Sequence, residues 1–178
     1  MDLTEHRLSG ETIFEGNIIK LALDQARLPN GHVASREVVY HPGGVAVLAL
    51  DQDDTVTLVR QFRYPVGQAI LELPAGKIDP GEDTLLAAKR ELSEETGLDA
   101  EDWTYLGFVF ASPGFCDEKL HMYLARDLRG KDCHPDEDEF LERTVMPFQE
   151  LVRMVMAGSI IDAKTVALTL KVKTLLGM

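Results

Sequence analysis

The stretch Gly76–Leu98, GKIDPGEDTLLAAKRELSEETGL, constrains this chain more than any other. Leu85, Ala88 and Leu92 recur at helical spacing and define one apolar stripe. Asp83 or Thr84 is placed to cap the start of that helix, and Gly97 to end it as a C′ residue. Glu91, Glu94 and Glu95 lie three and four residues apart, so their side chains share an adjoining face. Three carboxylates that close repel one another unless water or a cation neutralises them. A solvated acidic face is the ordinary outcome for a Glu-rich helix. Hard oxygen donors in this number equally suit Mg²⁺ or Mn²⁺.

The remaining chain places strands on both sides of this helix and helices at the end. The first dozen residues are polar and read as loose. Residues 12–26 read as one or two strands turning at Gly16-Asn17. Leu28-Pro29-Asn30-Gly31 is a turn, with Asn-Gly suited to positive φ, and 33–40 is the return strand. The continuous apolar run 45–50 is typical of a buried central strand. Strands follow at 55–62 and 69–73, the latter delivering Pro74-Ala75-Gly76 to the helix. Beyond it, 103–111, 119–124 and 140–146 read as strands. Residues 126–139, RDLRGKDCHPDEDE, read as a polar loop, and 148–156 and 163–176 as helices, the second capped by Asp162. Strands around one helix with a helical tail define an α+β class.

Composition narrows the functional classes. At 178 residues, 45% of them hydrophobic and 27% charged, the chain suits a soluble globular protein with an adequate core. No uncharged apolar run approaches the length of a membrane span. The N-terminus, MDLTEHRLSGETIF, lacks the basic start and apolar core of a signal peptide, so the cytoplasm is the expected compartment. Cys116 and Cys133 are too few for a disulfide framework or a zinc site. Cys116 reads as a free thiol, since no motif supplies it with a base. The net charge of −12 argues against binding nucleic acid through its backbone. It permits a small diphosphate substrate, because a bound divalent cation inverts the local field.

The segment fits Gly-x5-Glu-x7-Arg-Glu-Leu-x-Glu-Glu-x-Gly-Leu at every fixed position and resembles the signature of the Nudix hydrolases. That resemblance implies an α/β/α sandwich on a mixed sheet, and a loop–helix–loop holding Mg²⁺ or Mn²⁺ against a diphosphate. It implies the Ala75 carbonyl, Glu91 and Glu95 as metal ligands, with Glu94 as a further ligand or supporting acid. Arg90 would orient a glutamate by ion pairing, and Glu82 would support the loop.

Residues outside that segment resemble the ADP-ribose pyrophosphatase branch: Glu72-Leu73-Pro74-Ala75-Gly76, Arg36-Glu37-Val38-Val39 with His41-Pro42-Gly43, and Asp162-Ala163-Lys164-Thr165. Pro113 in Ser-Pro-Gly-Phe stands near the marker proline of that branch, although a loop proline needs no such role. The resemblance implies hydrolysis of ADP-ribose to AMP and ribose 5-phosphate. The alternatives are another nucleoside diphosphate compound (GDP-mannose, another nucleotide sugar, FAD or a dinucleoside polyphosphate) or a non-hydrolytic ADP-ribose-binding regulator.

Arg36 and Arg63 are either surface charges or guanidinium forks for the diphosphate or terminal ribose. Phe14 and Phe62 are read as core residues. The branch carries a catalytic glutamate on a mobile loop, which Glu139 matches best. Glu118 in Cys116-Asp117-Glu118-Lys119 is a second candidate for substrate or metal contact, and the sequence leaves both open. The branch also pairs subunits through its N-terminal region. Residues 1–44 are therefore expected to serve dimerisation and the adenosine side, and 45–178 to form the hydrolase domain of a homodimer.

Overall fold

The apolar run at the centre of the chain forms β4 (Gly44–Leu50), in which every residue is buried. Burial on both faces explains why its sequence does not alternate. Val45, Val47 and Ala49 pack with Ala87, Ala88 and Leu92 of α1 (Thr84–Thr96). Ala46, Leu48 and Leu50 pack on the other face with Phe148, Leu151 and Val152 of α2 (Phe148–Met156) and with Leu168 and Val172 of α3 (Ala163–Leu176). One strand thus divides two apolar layers, and the result is the α/β/α sandwich of the α+β class.

The structure is a computed structural model that describes residues 1–130 and 140–177. Its described residues divide into two compact units, Met1–Gly43 with Phe110–Lys119, and Gly44–Val109 with those from Leu120 on. No helix among them is long and apolar enough to cross a membrane.

In the first unit, β1 (His6–Glu15), β2 (Lys20–Arg27) and β3 (Val33–Tyr40) form an antiparallel sheet in that order. The Asn30-Gly31 turn forms as expected, with Gly31 at φ 86° and its N–H donating to the Leu28 carbonyl at 2.9 Å. The polar N-terminus is not loose. From His6 it pairs with β2, and the ladder overrides weak strand propensity. Phe14, expected in the core, is 55% exposed, because every residue of β1 is exposed. Segment 110–119 joins this unit through hydrogen bonds from Val39 N–H to the Phe115 carbonyl (2.7 Å) and from Asp117 N–H to the Val39 carbonyl (3.1 Å).

The second unit holds a seven-stranded mixed sheet. Its strands include β5 (Thr55–Arg63), β6 (Gln68–Glu72), β7 (Ala75–Lys77), β8 (Leu98–Phe110), β9 (Lys119–Gly130) and β10 (Leu141–Pro147). The main path runs β10-β5-β4-β9-β8, with β4 parallel to β9 and antiparallel to β5. β4 and β5 pair only at Ala49–Thr57 and Leu50–Val56, and beyond that each takes a different partner. β6 pairs with β5, and β7 with β4. The link between β6 and β7 lies in this split, where Val47 N–H donates to the Pro74 carbonyl at 2.9 Å.

Two further expectations are corrected. Strand β9 continues through Arg126 to Gly130, five residues that the polar sequence had placed in a loop. Phe62 is 58% exposed rather than core, since it lies at the end of β5 that pairs only with β6.

Candidate active site

Helix α1 is set by local chemistry. The Asp83 carboxylate accepts hydrogen bonds from the N–H groups of Leu85 (2.9 Å) and Leu86 (3.3 Å), and Gly97 closes the helix at φ 64°. Arg143 donates to the Thr96 carbonyl at 2.9 Å, placing a cation at the helix C-terminus. Ala88 and Leu92 are buried against the sheet, with Leu85 packed beside them, so the opposite flank turns Glu91 and Glu95 toward the β6–β7 link.

Glu95 Oε2 accepts from Ala75 N–H at 2.9 Å, and its Oε1 is 3.4 Å from Gln61 Nε2. The Glu91 carboxylate lies against Gly76. A Cβ at Gly76 would stand 2.0 Å from its carboxyl carbon and 2.1 Å from both oxygens. Two buried carboxylates therefore converge on Ala75–Gly76. Among the described residues, no three His, Cys, Asp or Glu side chains already form a ligand cluster. What the structure brings together at Ala75–Gly76 is two carboxylates, which offer oxygen atoms alone. An all-oxygen set of this kind fits Mg²⁺ or Mn²⁺. The space that Gly76 leaves for Glu91 supports that fit. Gly76→Ala is expected to push Glu91 away and weaken Mn²⁺ binding by about ten- to a hundredfold, as loss of ligand support does elsewhere. A paramagnetic-resonance titration showing unchanged affinity would contradict this.

Arg90 organises the acids around it. Its Nη1 donates to Glu91 Oε1 (2.7 Å) and Glu94 Oε2 (3.0 Å), its Nε and Nη2 to the two oxygens of Glu82 (3.0 and 2.9 Å), and Nη2 to the Lys77 carbonyl (3.0 Å). Glu82 also accepts from Asp79 N–H at 3.0 Å, closing the loop before α1. These contacts, Glu82 first, raise the pKa of Arg90 well beyond the guanidinium range. Arg90 in turn lowers that of Glu82 below its ordinary 4.5, with Asp79 N–H adding to the effect. A depressed carboxylate pKa stabilises the fold above the unfolded value, and that stability is lost as pH falls through the folded value. Arg90→Met in metal-free protein should thus be less stable than wild type near neutrality, with the gap narrowing below about pH 4.5. Urea denaturation showing a pH-independent gap would refute the pairing.

Arg63 Nε and Nη2 donate to Glu72 Oε1 (2.7 Å) and Oε2 (2.9 Å). Ala75, Arg63, Arg90, Glu91, Glu94 and Glu95 all belong to the second unit. Arg36, Pro113 and Glu118 belong to the first. There Arg36 pairs with Glu5 at 2.7 Å, Pro113 occupies an exposed turn, and Glu118 Oε1 is 3.5 Å from His41 Nδ1. Cys116 is a free thiol. Glu139 and Cys133 lie outside the described residues. Sequence reasoning assigned no role to Gln61, Glu72 or Lys164. The available signal was Glu72 itself, an acid inside the apolar run Ala69–Leu73.

Two glutamates of one helix thus face the link in a split strand pair, an arrangement of carboxylate oxygens that suits a hard divalent cation. A family model described as NUDIX domain matches residues 40–168, and one described as nucleoside diphosphate sugar hydrolase N-terminal domain matches residues 5–39. The chain belongs to the Nudix family of hydrolases. It is 41% identical to an ADP-ribose pyrophosphatase of Bacillus subtilis (strain 168), over 92% of this chain and 89% of the relative. It is also 41% identical to a methanol dehydrogenase activator of Bacillus methanolicus, over 91% and 89%. A crystal structure of an ADP compounds hydrolase superposes with a TM-score of 0.86 at 26% identity, covering 99% of this chain and 97% of the other.

Proposed function

We propose that this Nudix pyrophosphohydrolase cleaves ADP-ribose with water to give AMP and ribose 5-phosphate, using Mg²⁺ or Mn²⁺. The observation that carries this reading is the intact pair Glu91 and Glu95 against Ala75–Gly76, in a chain 41% identical to an ADP-ribose pyrophosphatase. A divalent ion held by the Ala75 carbonyl, Glu91 and Glu95, with Glu94 adjacent, would neutralise the diphosphate and acidify the attacking water. Arg90 fixes the Glu91 and Glu94 carboxylates through one nitrogen, so their lone pairs keep a set direction. Arg63 holds the diphosphate, and Arg36, Glu118 and Pro113 serve the remainder of the substrate. Glu139 takes the proton of the attacking water.

The substrate is tested by comparing kcat/KM for ADP-ribose, GDP-mannose and FAD with Mg²⁺. ADP-ribose should lead, and a decisive preference for another compound would overturn the assignment. Tight ADP-ribose binding without turnover would instead mark a regulator.

The proposal includes a cytoplasmic homodimer joined through residues 1–44. Leu8, Ile13, Phe14 and Ile18 are all exposed on the N-terminal sheet or its hairpin, and a three-stranded sheet with so much apolar surface gains from a partner. Removing the residues before Val45 should abolish dimerisation and ADP-ribose affinity together. Light scattering that finds the full chain monomeric and active would contradict it.

A further inference from the structure

We propose that Lys164 is a positioning residue for this reaction, acting through Glu72 to hold the Arg63 guanidinium where it meets the diphosphate. The proposal rests on the reading of Arg63 given above. Glu72 is wholly buried at the end of β6, and Lys164 is nearly so in the first turn of α3. The Lys164 ammonium donates to Glu72 Oε2 and, at 2.9 Å, to Asp162 Oδ1. Asp162 Oδ2 accepts from Thr165 N–H (3.0 Å) and Oγ1 (2.6 Å), and Thr165 Oγ1 accepts from Leu73 N–H at 2.9 Å. The start of α3 therefore grips both the Glu72 side chain and the Leu73 main chain, three and two residues before Ala75 respectively.

Burying these charges is a poor way to gain stability, since an apolar pair of similar volume often serves as well. What an apolar pair could not do is present a carboxylate to Arg63. Arg63 is the member of the network that reaches solvent, with its side chain 38% exposed. Its fork contact with both oxygens of Glu72 fixes the guanidinium plane as a single hydrogen bond would not. Glu72 above all, with Glu95 and Asp162 adding to it, holds the pKa of Arg63 above its ordinary value. Without Lys164, Glu72 keeps one cationic partner and is free to follow Arg63 outward. The diphosphate must then order Arg63 on binding, which weakens affinity while the carboxylates of α1 stay in place.

The test is steady-state kinetics of the full chain with Mg²⁺ for Lys164→Met, Arg63→Ala and the double variant. Each single change should raise KM by roughly tenfold and leave kcat within about threefold, and the double variant should be no worse than Arg63→Ala alone. An unchanged KM, a loss confined to kcat, or full additivity in the double variant overturns the proposal. Should Lys164→Met fail to fold, Lys164→Gln keeps a donor for Glu72 and should show a smaller KM increase that vanishes in the Arg63→Ala background. If the wild type does not hydrolyse ADP-ribose, the substrate reading fails by itself. The brace is then decided by the Arg63 Nε–H resonance, which should be protected from exchange in the wild type and lost in the Lys164 variant. An unaltered signal overturns it.

Discussion

Glu95→Gln should fold normally and lose about a hundredfold or more in turnover. Glu95 is buried and its Oε2 accepts from Ala75 N–H, a bond that a glutamine oxygen can still accept. The geometry at the β6–β7 link therefore survives the substitution. The negative charge does not, and under the proposed assignment the divalent cation loses one of its carboxylate ligands. A hundredfold loss corresponds to about 3 kcal/mol of transition-state stabilisation, a modest figure for a metal-site carboxylate. A variant with wild-type melting temperature and near-normal turnover would remove Glu95 from the metal site.

Glu139→Gln should lower turnover by roughly a hundred- to ten-thousandfold, the usual worth of a general base, with little change in metal affinity. The carboxylates of α1 are poorly placed to accept a proton, being oriented by Arg90 and Ala75 and assigned to the metal. The chain enters β10 at Leu141, the register partner of Gln61, and Gln61 Nε2 approaches Glu95 to 3.4 Å. Glu139 precedes Leu141 by two residues in the sequence. The Glu118 carboxylate already has a neighbour, with its Oε1 3.5 Å from His41 Nδ1. Glu118→Gln and Glu137→Gln should therefore cost less. If Glu118→Gln carries the large defect while Glu139→Gln stays active, the base is Glu118.

The features that proved legible in the sequence are those set by near neighbours. Helix α1 begins after Asp83 and ends at Gly97 because both caps act within a few residues. Strand β3 and helices α2 and α3 occupy the ranges that turn residues, periodicity and the Asp162 cap define. Features set by distant partners were hidden. Strand β1 exists because β2 pairs with it, and its own residues carry no alternation between buried and exposed faces. Phe14 and Phe62 looked like core residues because hydrophobicity does not reveal that a strand face lacks a covering layer. Lys164 and Glu72 are 92 residues apart, and no local pattern announces that one answers the other. The carboxylates of α1 were legible because helical spacing groups them. That Gly76 is small so that Glu91 can lie against it required the fold.

The most direct test of the account is product analysis of the purified full chain with ADP-ribose, in Mg²⁺ and after chelation, beside Glu95→Gln. The account predicts AMP and ribose 5-phosphate in equal amounts with Mg²⁺, none after chelation, and a loss of about a hundredfold or more in rate for the variant. Hydrolysis that persists at full rate without divalent metal, or an undiminished rate in folded Glu95→Gln, would contradict it.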